Sequence, residues 1–302
     1  MIVVAVPHLD RFGASPDALP PVLRAMLARG EHRELCSDTW ASELAVGQPI
    51  AVAPLTRLID APADCDGLWL RADPVRLTPD MNAVWVNPAG RVDANPSLMK
   101  AFQQVLAESG LSFDAPHPQR GYIRLERLPD CHFYPPDRIV GQSLDFVLPT
   151  GADGTLWQRL LNDCQIVAYQ HSLKEGSPAA GGLWFWAAGG LPALDEVEPR
   201  VQRLFGTDVV WSALASWQNL KHEPETPTAD NVPDSSLVAW EPEPGLDEGA
   251  TLAVLESWMK PLWQRVRLGR LAVLEVASRS RVWRLTPQAA WQIWRRSPEP
   301  WA

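Results

Sequence analysis

Apolar positions along the chain follow two rhythms: short continuous or alternating runs that predict strands, and runs recurring every three to four residues that predict helices. Ile2 to Val6 is a β-branched run that reads as a first strand, ended by Pro7. Ser15 then offers a helix cap, Leu23, Met26 and Leu27 stand at helical spacing, and Gly30 stops the helix. In "GLWLRADPV" a buried strand leads to a turn at Asp73-Pro74, and "NAVWVNPAG" supplies its partner, so residues 67 to 88 pair as a strand and loop unit. The segment "NPSLMKAFQQVLAESG" predicts an amphipathic helix capped by Asn95 or Ser97, striped by Leu98, Phe102, Val105 and Leu106, and ended at Gly110.

"RGYIRLERL" alternates Tyr122, Arg124 and Glu126 against Ile123 and Leu125, less strictly toward its end at Leu128, which predicts a strand of period two. Residues 154 to 171 form the clearest helix, with Trp157, Leu160, Leu161, Cys164, Ala168 and His171 on one face. Beyond it "GGLWFWAAGG" predicts a strand, Leu183 to Ala187, buried on both faces within a central sheet. "DEVEPRVQRLFG" predicts a helix and "TDVVW" a strand. Prolines at 224, 227, 233, 242 and 244 among many acids predict a loop over 222–248. A helix in "DEGATLAVLESWMKPLWQRV", a hairpin turning at Ser278-Arg279-Ser280 and a last helix from Thr286-Pro287 to Trp294-Arg295-Arg296 complete the chain. Helices alternating with buried strands predict an α/β fold: a central mixed sheet flanked by helices, with a C-terminal hairpin and helix, in one domain over 1–302.

Composition narrows the function classes. The 302 residues are 46% hydrophobic and 21% charged, which is globular. A formal net charge of −9 argues against nucleic acid as a partner, since phosphate neutralisation needs a basic surface. The N-terminus has a short apolar run and no basic lead, and no stretch is long enough to span a bilayer, so no membrane partner is expected. Cys36, Cys65, Cys131 and Cys164 are too scattered for a CxxC site and read as free thiols of a cytoplasmic protein. The 15 tryptophans, against three tyrosines, are spread from Trp40 to Trp301 and suit core packing better than a stacking platform.

Phosphate-loop, dinucleotide, HExxH and GxSxG motifs are all missing, and no two of the six histidines stand at ligand spacing. Asp73, before Pro74, stands where an α/β sheet presents a ligand-binding carboxylate, or it bonds its own backbone in an Asx turn. His171 and Lys174 close the long helix, where a cation also complements the helix dipole. Gly189-Gly190 allows positive φ or the close approach of a ligand or another segment, or simply makes a tight turn. Asp10 resembles a metal ligand by location alone. With Arg76, these residues would form one cleft at the carboxyl edge of the sheet, suited to a small anion: Asp73, Arg76, His171, Lys174, Gly189 and Gly190.

Taken together, "WLRADPVRL", "SLDFVLPTGADGTLWQRLLNDCQIVAYQH", "GGLWFWAAGG" and "WQIWRR" resemble the bacterial RpfE-type regulatory family, whose members are often labelled cofactor-independent phosphoglycerate mutases. The resemblance spans residues 67 to 296 and implies a mutase-like fold of the alkaline-phosphatase superfamily. A mutase of that class holds two metal ions through aspartates and histidines and uses a serine nucleophile. This chain departs from the pattern. Arg76 stands where histidine is usual, and His171-Ser172-Leu173-Lys174 replaces His-Pro-Val-Asn. Gly181-Gly182 replaces Asn-Ser, Trp186-Ala187-Ala188-Gly189 replaces Trp-Gly-Gly-Gly, and no histidine follows His222. The resemblance therefore implies a regulatory protein without metal or cofactor, acting through a protein partner or a small anionic ligand, with the metal-dependent mutase as the alternative.

Overall fold

A computed structural model describes residues 1–11, 19–36, 38–79, 84–88, 96–140, 142–175 and 181–295. The expected caps Ser15 and Asn95, and Arg296 in the last helix, lie outside them. The chain gathers into two compact units, Met1–Pro49 with Ala193–Ala302, and Ile50–Pro192. The first unit opens with β1 (Ile2–Ala5), α1 (Pro21–Arg29), β2 (Glu31–Glu34) and α2 (Trp40–Val46). The second holds α3 (Val52–Asp60), β3 (Leu68–Pro79), β4 (Val84–Pro88), α4 (Pro96–Glu108), β5 (Ser112–His117), β6 (Arg120–Leu125), α5 (Pro136–Ile139), α6 (Gly154–Glu175) and β7 (Gly182–Gly189). The chain then returns to the first unit with β8 (Arg203–Phe205), α7 (Val209–Gln218), β9 (Lys221–Glu223), β10 (Ser236–Ala239), α8 (Glu248–Arg267), β11 (Leu274–Ala277), β12 (Arg281–Leu285) and α9 (Pro287–Ala290).

The first unit carries the mixed sheet, in the order β2-β12-β11-β1-β10-β8-β9. Strands β8, β9, β10, β1 and β11 run parallel, while β12 and β2 are antiparallel additions at one edge. Residues Ile2, Val4, Val238, Leu274 and Val276 form one core with Leu23 and Met26 of α1 and Leu255, Met259 and Leu262 of α8. The alternate residues Val3, Leu204 and Leu237 are equally buried, as a sheet with parallel crossovers requires. The hairpin of β11 and β12 and the capping of α9 by the Thr286 hydroxyl follow the sequence reading, but α9 stops at Ala290, short of the expected end at Trp294-Arg295-Arg296.

In the second unit all five strands are antiparallel: β4-β3-β6-β5, with β7 on the free side of β3. Leu70, Ala72, Ile123, Leu183 and Phe185 pack with Leu98, Phe102 and Leu106 of α4 and Trp157, Leu160 and Cys164 of α6. Burial pushes the Cys164 thiol up to about 12, which leaves it an inert core side chain.

Five further expectations change. The strand 183–187 lies at an edge of this antiparallel sheet and not in the mixed one, although Leu183, Trp184 and Phe185 are buried. Asp73-Pro74 is no turn. β6 pairs with β3 up to Arg71 and β4 begins at Val75, so Pro74, which lacks an N–H, falls in the gap between the two partners. The segment 195–206 is a short 3-10 turn and β8, and 207–211 opens α7: Asp208 accepts from the Val210 N–H, and Asn219 at φ 53° closes the helix. Within 222–248 lies β10, fully buried between β1 and β8, a strand of four residues whose apolar run is outweighed in sequence by flanking prolines and acids.

Candidate functional site

Parallel strands β1, β8, β10 and β11 end at one edge of the mixed sheet, where an α/β fold presents ligand-binding groups because every loop there leaves a strand in the same direction. After β1, a 3-10 turn over Leu9–Arg11 carries Asp10, whose carboxylate accepts the Ser280 hydroxyl at 2.6 Å. Ser280 stands in the turn after β11. That turn is set by the buried Ser278, whose Oγ accepts the N–H groups of Ser280 at 3.2 Å and Arg281 at 3.1 Å. After β8 and β10, the Thr207 hydroxyl donates to the Glu241 carboxylate at 3.0 Å. The Arg279 guanidinium lies over the Trp40 ring at 5.6 Å, and Trp40 meets Trp211 edge to face at 5.3 Å. The edge thus offers hydroxyls, two carboxylates, a guanidinium and an aromatic face. Asp10 was legible here by its place after β1; Ser278, Ser280, Thr207 and Glu241 carry no motif, and only the topology brings them together.

In the second unit Asp73 is held by its own strand. Residues two apart on a strand share a face, so Arg71 reaches Asp73 with two hydrogen bonds, Nε to Oδ1 at 2.8 Å and Nη2 to Oδ2 at 2.7 Å. Trp186 donates to the same carboxylate at 2.8 Å, and Arg71 donates to the Thr56 hydroxyl of α3 at 3.0 Å. Arg57 of α3 is equally buried, and donates to the Asp114 carboxylate at 2.6 Å and to Asp64 at 3.0 Å. Rings and guanidiniums alternate through this layer: Arg57 stands 4.3 Å from Trp69 and 5.3 Å from Tyr122, and Arg71 stands 5.5 Å from Tyr122 and 5.1 Å from Trp186. Each such contact contributes about 0.5–2 kcal/mol, more as water is excluded.

Asp60 of α3 accepts two hydrogen bonds from Arg120 at 2.6 Å and one from Tyr122 at 2.5 Å. Burial pushes the Asp60 carboxyl up, but these bonds outweigh it and hold the group below the usual carboxylate range. Burial raises the Tyr122 hydroxyl well above its ordinary value, so it stays a donor. His117 nearby is lowered by burial and by the Arg120 charge. This layer pins α3 to the sheet. Its sequence signal was an arginine inside an apolar run, at Arg71 and again at Arg57.

The six expected site residues are not gathered into one cleft. Asp73 faces α3, whereas α6, which carries His171 and Lys174, packs on the opposite face. His171 meets the Ser97 hydroxyl of α4 at 2.5 Å, and Lys174 is exposed in the last turn. Arg76 is exposed near the end of β3 where β7 begins, the end toward which the last turn of α6 leads. Gly189 and Gly190 lie at the other end of β7, seven residues or about 23 Å away at ~3.3 Å per residue. Neither glycine has positive φ. A Cβ on Gly189 would come within 2.4 Å of the Ala51 Cβ, so the close approach is that of the chain itself at the start of α3. A pocket beside Ala72, Phe113, His117 and Arg120 holds only about 10 Å³, room for one water and no substrate. Among the described residues no group of three or more His, Cys, Asp or Glu side chains is placed to hold a metal ion. The four cysteines are unpaired, and among the described residues no helix is long and apolar enough to cross a membrane.

No protein-family model matches the chain, and no curated protein sequence matches it. Among solved structures it is similar to the cofactor-independent phosphoglycerate mutase from Thermoplasma acidophilum DSM 1728, at 16% identity over 94% of this chain and 89% of that one, with a TM-score of 0.42. It is also similar to the PH0037 protein from Pyrococcus horikoshii, at 11% identity over 94% and 87% of the two chains, with a TM-score of 0.45. At these identities and TM-scores neither likeness carries an activity to this chain.

Proposed function

We propose that this chain is a regulatory protein of the RpfE type that works by binding a protein partner or a small anionic ligand, and not by turnover. The observation that carries this reading is the engagement of three of its acids by its own donors: Asp10 by Ser280, Glu241 at the surface by Thr207, and the buried Asp73 by Arg71 and Trp186. A phosphoryl-transfer centre needs acids open to a cation or to a reacting proton. Acids closed onto neighbouring hydroxyls and guanidiniums instead fix the shape of a surface that a ligand reads. Arg76 and Lys174, both exposed, supply charge for an anion in the second unit. The reading puts the protein in the cytoplasm, away from nucleic acid and membrane.

Isothermal titration with 3-phosphoglycerate and with inorganic phosphate tests the ligand half of the reading. A charge-assisted contact is worth about 1.5–3 kcal/mol, so Lys174→Ala is expected to weaken binding roughly 10- to 150-fold while the thermal midpoint stays nearly unchanged. Equal binding by the variant removes Lys174 from the site. A pull-down from native lysate tests the partner half, and a partner retained after a high-salt wash supports it.

A further inference from the structure

We propose that the chain binds a second copy of itself head to tail along α8, an acidic strap at one end of that helix seating on a basic aromatic patch at the other. This goes beyond the ligand reading and stands independently of it. The patch lies where α8 ends. Leu268 is 64% exposed, Trp291 57%, Ile293 63% and Trp294 72%, and the Arg267 guanidinium stacks on the Trp291 ring at 5.2 Å. Arg270 and Arg295 are exposed beside them in sequence. Large exposed apolar side chains grouped in this way mark interaction surfaces, and tryptophan and arginine are the residues that dominate binding energy at such surfaces.

The occupant follows from charge. The patch is basic on a chain of net charge −9, so an anionic bilayer or a nucleic acid meets repulsion from the rest of the molecule. The chain itself carries a complementary surface. Residues 241–248, "EPEPGLDE", are all exposed, contain Glu241, Glu243, Asp247 and Glu248, and present Leu246 at 38% exposure. Pro242 and Pro244 restrict this strap and cut the entropy lost when it docks. It leads into α8 through the Asp247 cap, so strap and patch lie at opposite ends of a 20-residue helix, about 30 Å apart at 1.5 Å per residue. Tethered between β10 and α8, the strap cannot reach its own patch. It reaches that of another copy, in a heterologous contact that propagates unless its rotation closes a ring.

Sedimentation velocity at low ionic strength on the full chain tests this, with two variants in exposed positions. The patch variant is Arg267→Glu with Trp294→Ser, and the strap variant is Glu243→Arg with Leu246→Ser. Circular dichroism checks that each keeps the wild-type secondary structure. The wild-type mass is expected to rise with concentration and to fall on adding salt. Each variant alone is expected to stay monomeric, and an equimolar mixture to form a 1:1 dimer that grows no further, because only one intact patch and one intact strap remain to meet. A wild-type chain that stays monomeric at every concentration overturns the proposal, as does a mixture that fails to pair. Binding of the monomer to phosphatidylserine vesicles through the same tryptophans would also overturn it and assign the patch to a membrane surface.

Discussion

Truncating Asp73 separates a structural carboxylate from a ligand-binding one. In the folded chain it accepts three hydrogen bonds, two from Arg71 and one from the Trp186 indole, at 2.7 to 2.8 Å. Arg71 is only 5% exposed, so Asp73→Ala leaves a buried guanidinium without its counter-charge and an indole N–H without an acceptor. Breaking one side of a buried ion pair costs about 3–5 kcal/mol, because the remaining charge has neither partner nor water. Thr56 and the rings of Tyr122 and Trp186 still hold Arg71, which favours the lower half of that range. Replacing both partners, Asp73→Leu with Arg71→Met, removes the stranded charge and is expected to recover most of the loss. Urea unfolding followed by circular dichroism reads both variants; with a slope of ~2–3 kcal/mol per molar, Asp73→Ala shifts the midpoint down by roughly 1–2 M. A shift equivalent to less than ~1 kcal/mol, or a double variant no better than the single one, would refute the reading of Asp73 as a fixed member of the α3 layer.

Three further outcomes follow from the second unit. Gly189→Ala is expected to destabilise by about 1–3 kcal/mol, since its Cβ would stand 2.4 Å from the Ala51 Cβ, and a thermal midpoint equal to wild type would contradict that packing. Asp60 titrates below its ordinary value of 3.8 in the folded chain, so its contribution is present above that value and is lost as pH falls through the lower folded value. Unfolding titrations against pH should therefore show an acid loss that Asp60→Asn reduces, and identical acid profiles would count against the bonds to Arg120 and Tyr122. Residues 50–192 have their own sheet and core, so this segment expressed alone is expected to unfold cooperatively; loss of the transition would favour one domain over 1–302.

Much of the fold was legible where one signal dominated. The stripe Leu98, Phe102, Leu106 and the face Trp157 to Ala168 became the buried sides of α4 and α6, and the hairpin at Ser278 to Ser280 formed as read. Failures came where two signals competed. Val197, Val201 and Leu204 imitate a helix repeat, but Pro199 interrupts it and Leu204 enters the sheet. Val209, Val210 and Trp211 favour a strand by composition, yet the Asp208 cap and the pairing of Trp211 and Leu214 on one buried face make a helix. Site reading failed for a topological reason. Ser280 and Asp10 are 270 residues apart, and nothing local to either announces the other. Asp73 and His171 were grouped by their place at element ends, while the side of the sheet each faces depended on where α3 and α6 pack.

Binding without turnover is checked by assaying interconversion of 3- and 2-phosphoglycerate by the purified 302-residue chain with added manganese, before and after chelation. The acids engaged at Asp10, Asp73 and Glu241 predict no interconversion above the buffer rate under either condition. Robust metal-dependent interconversion, abolished by the chelator and restored by fresh manganese, would show that the chain is a mutase.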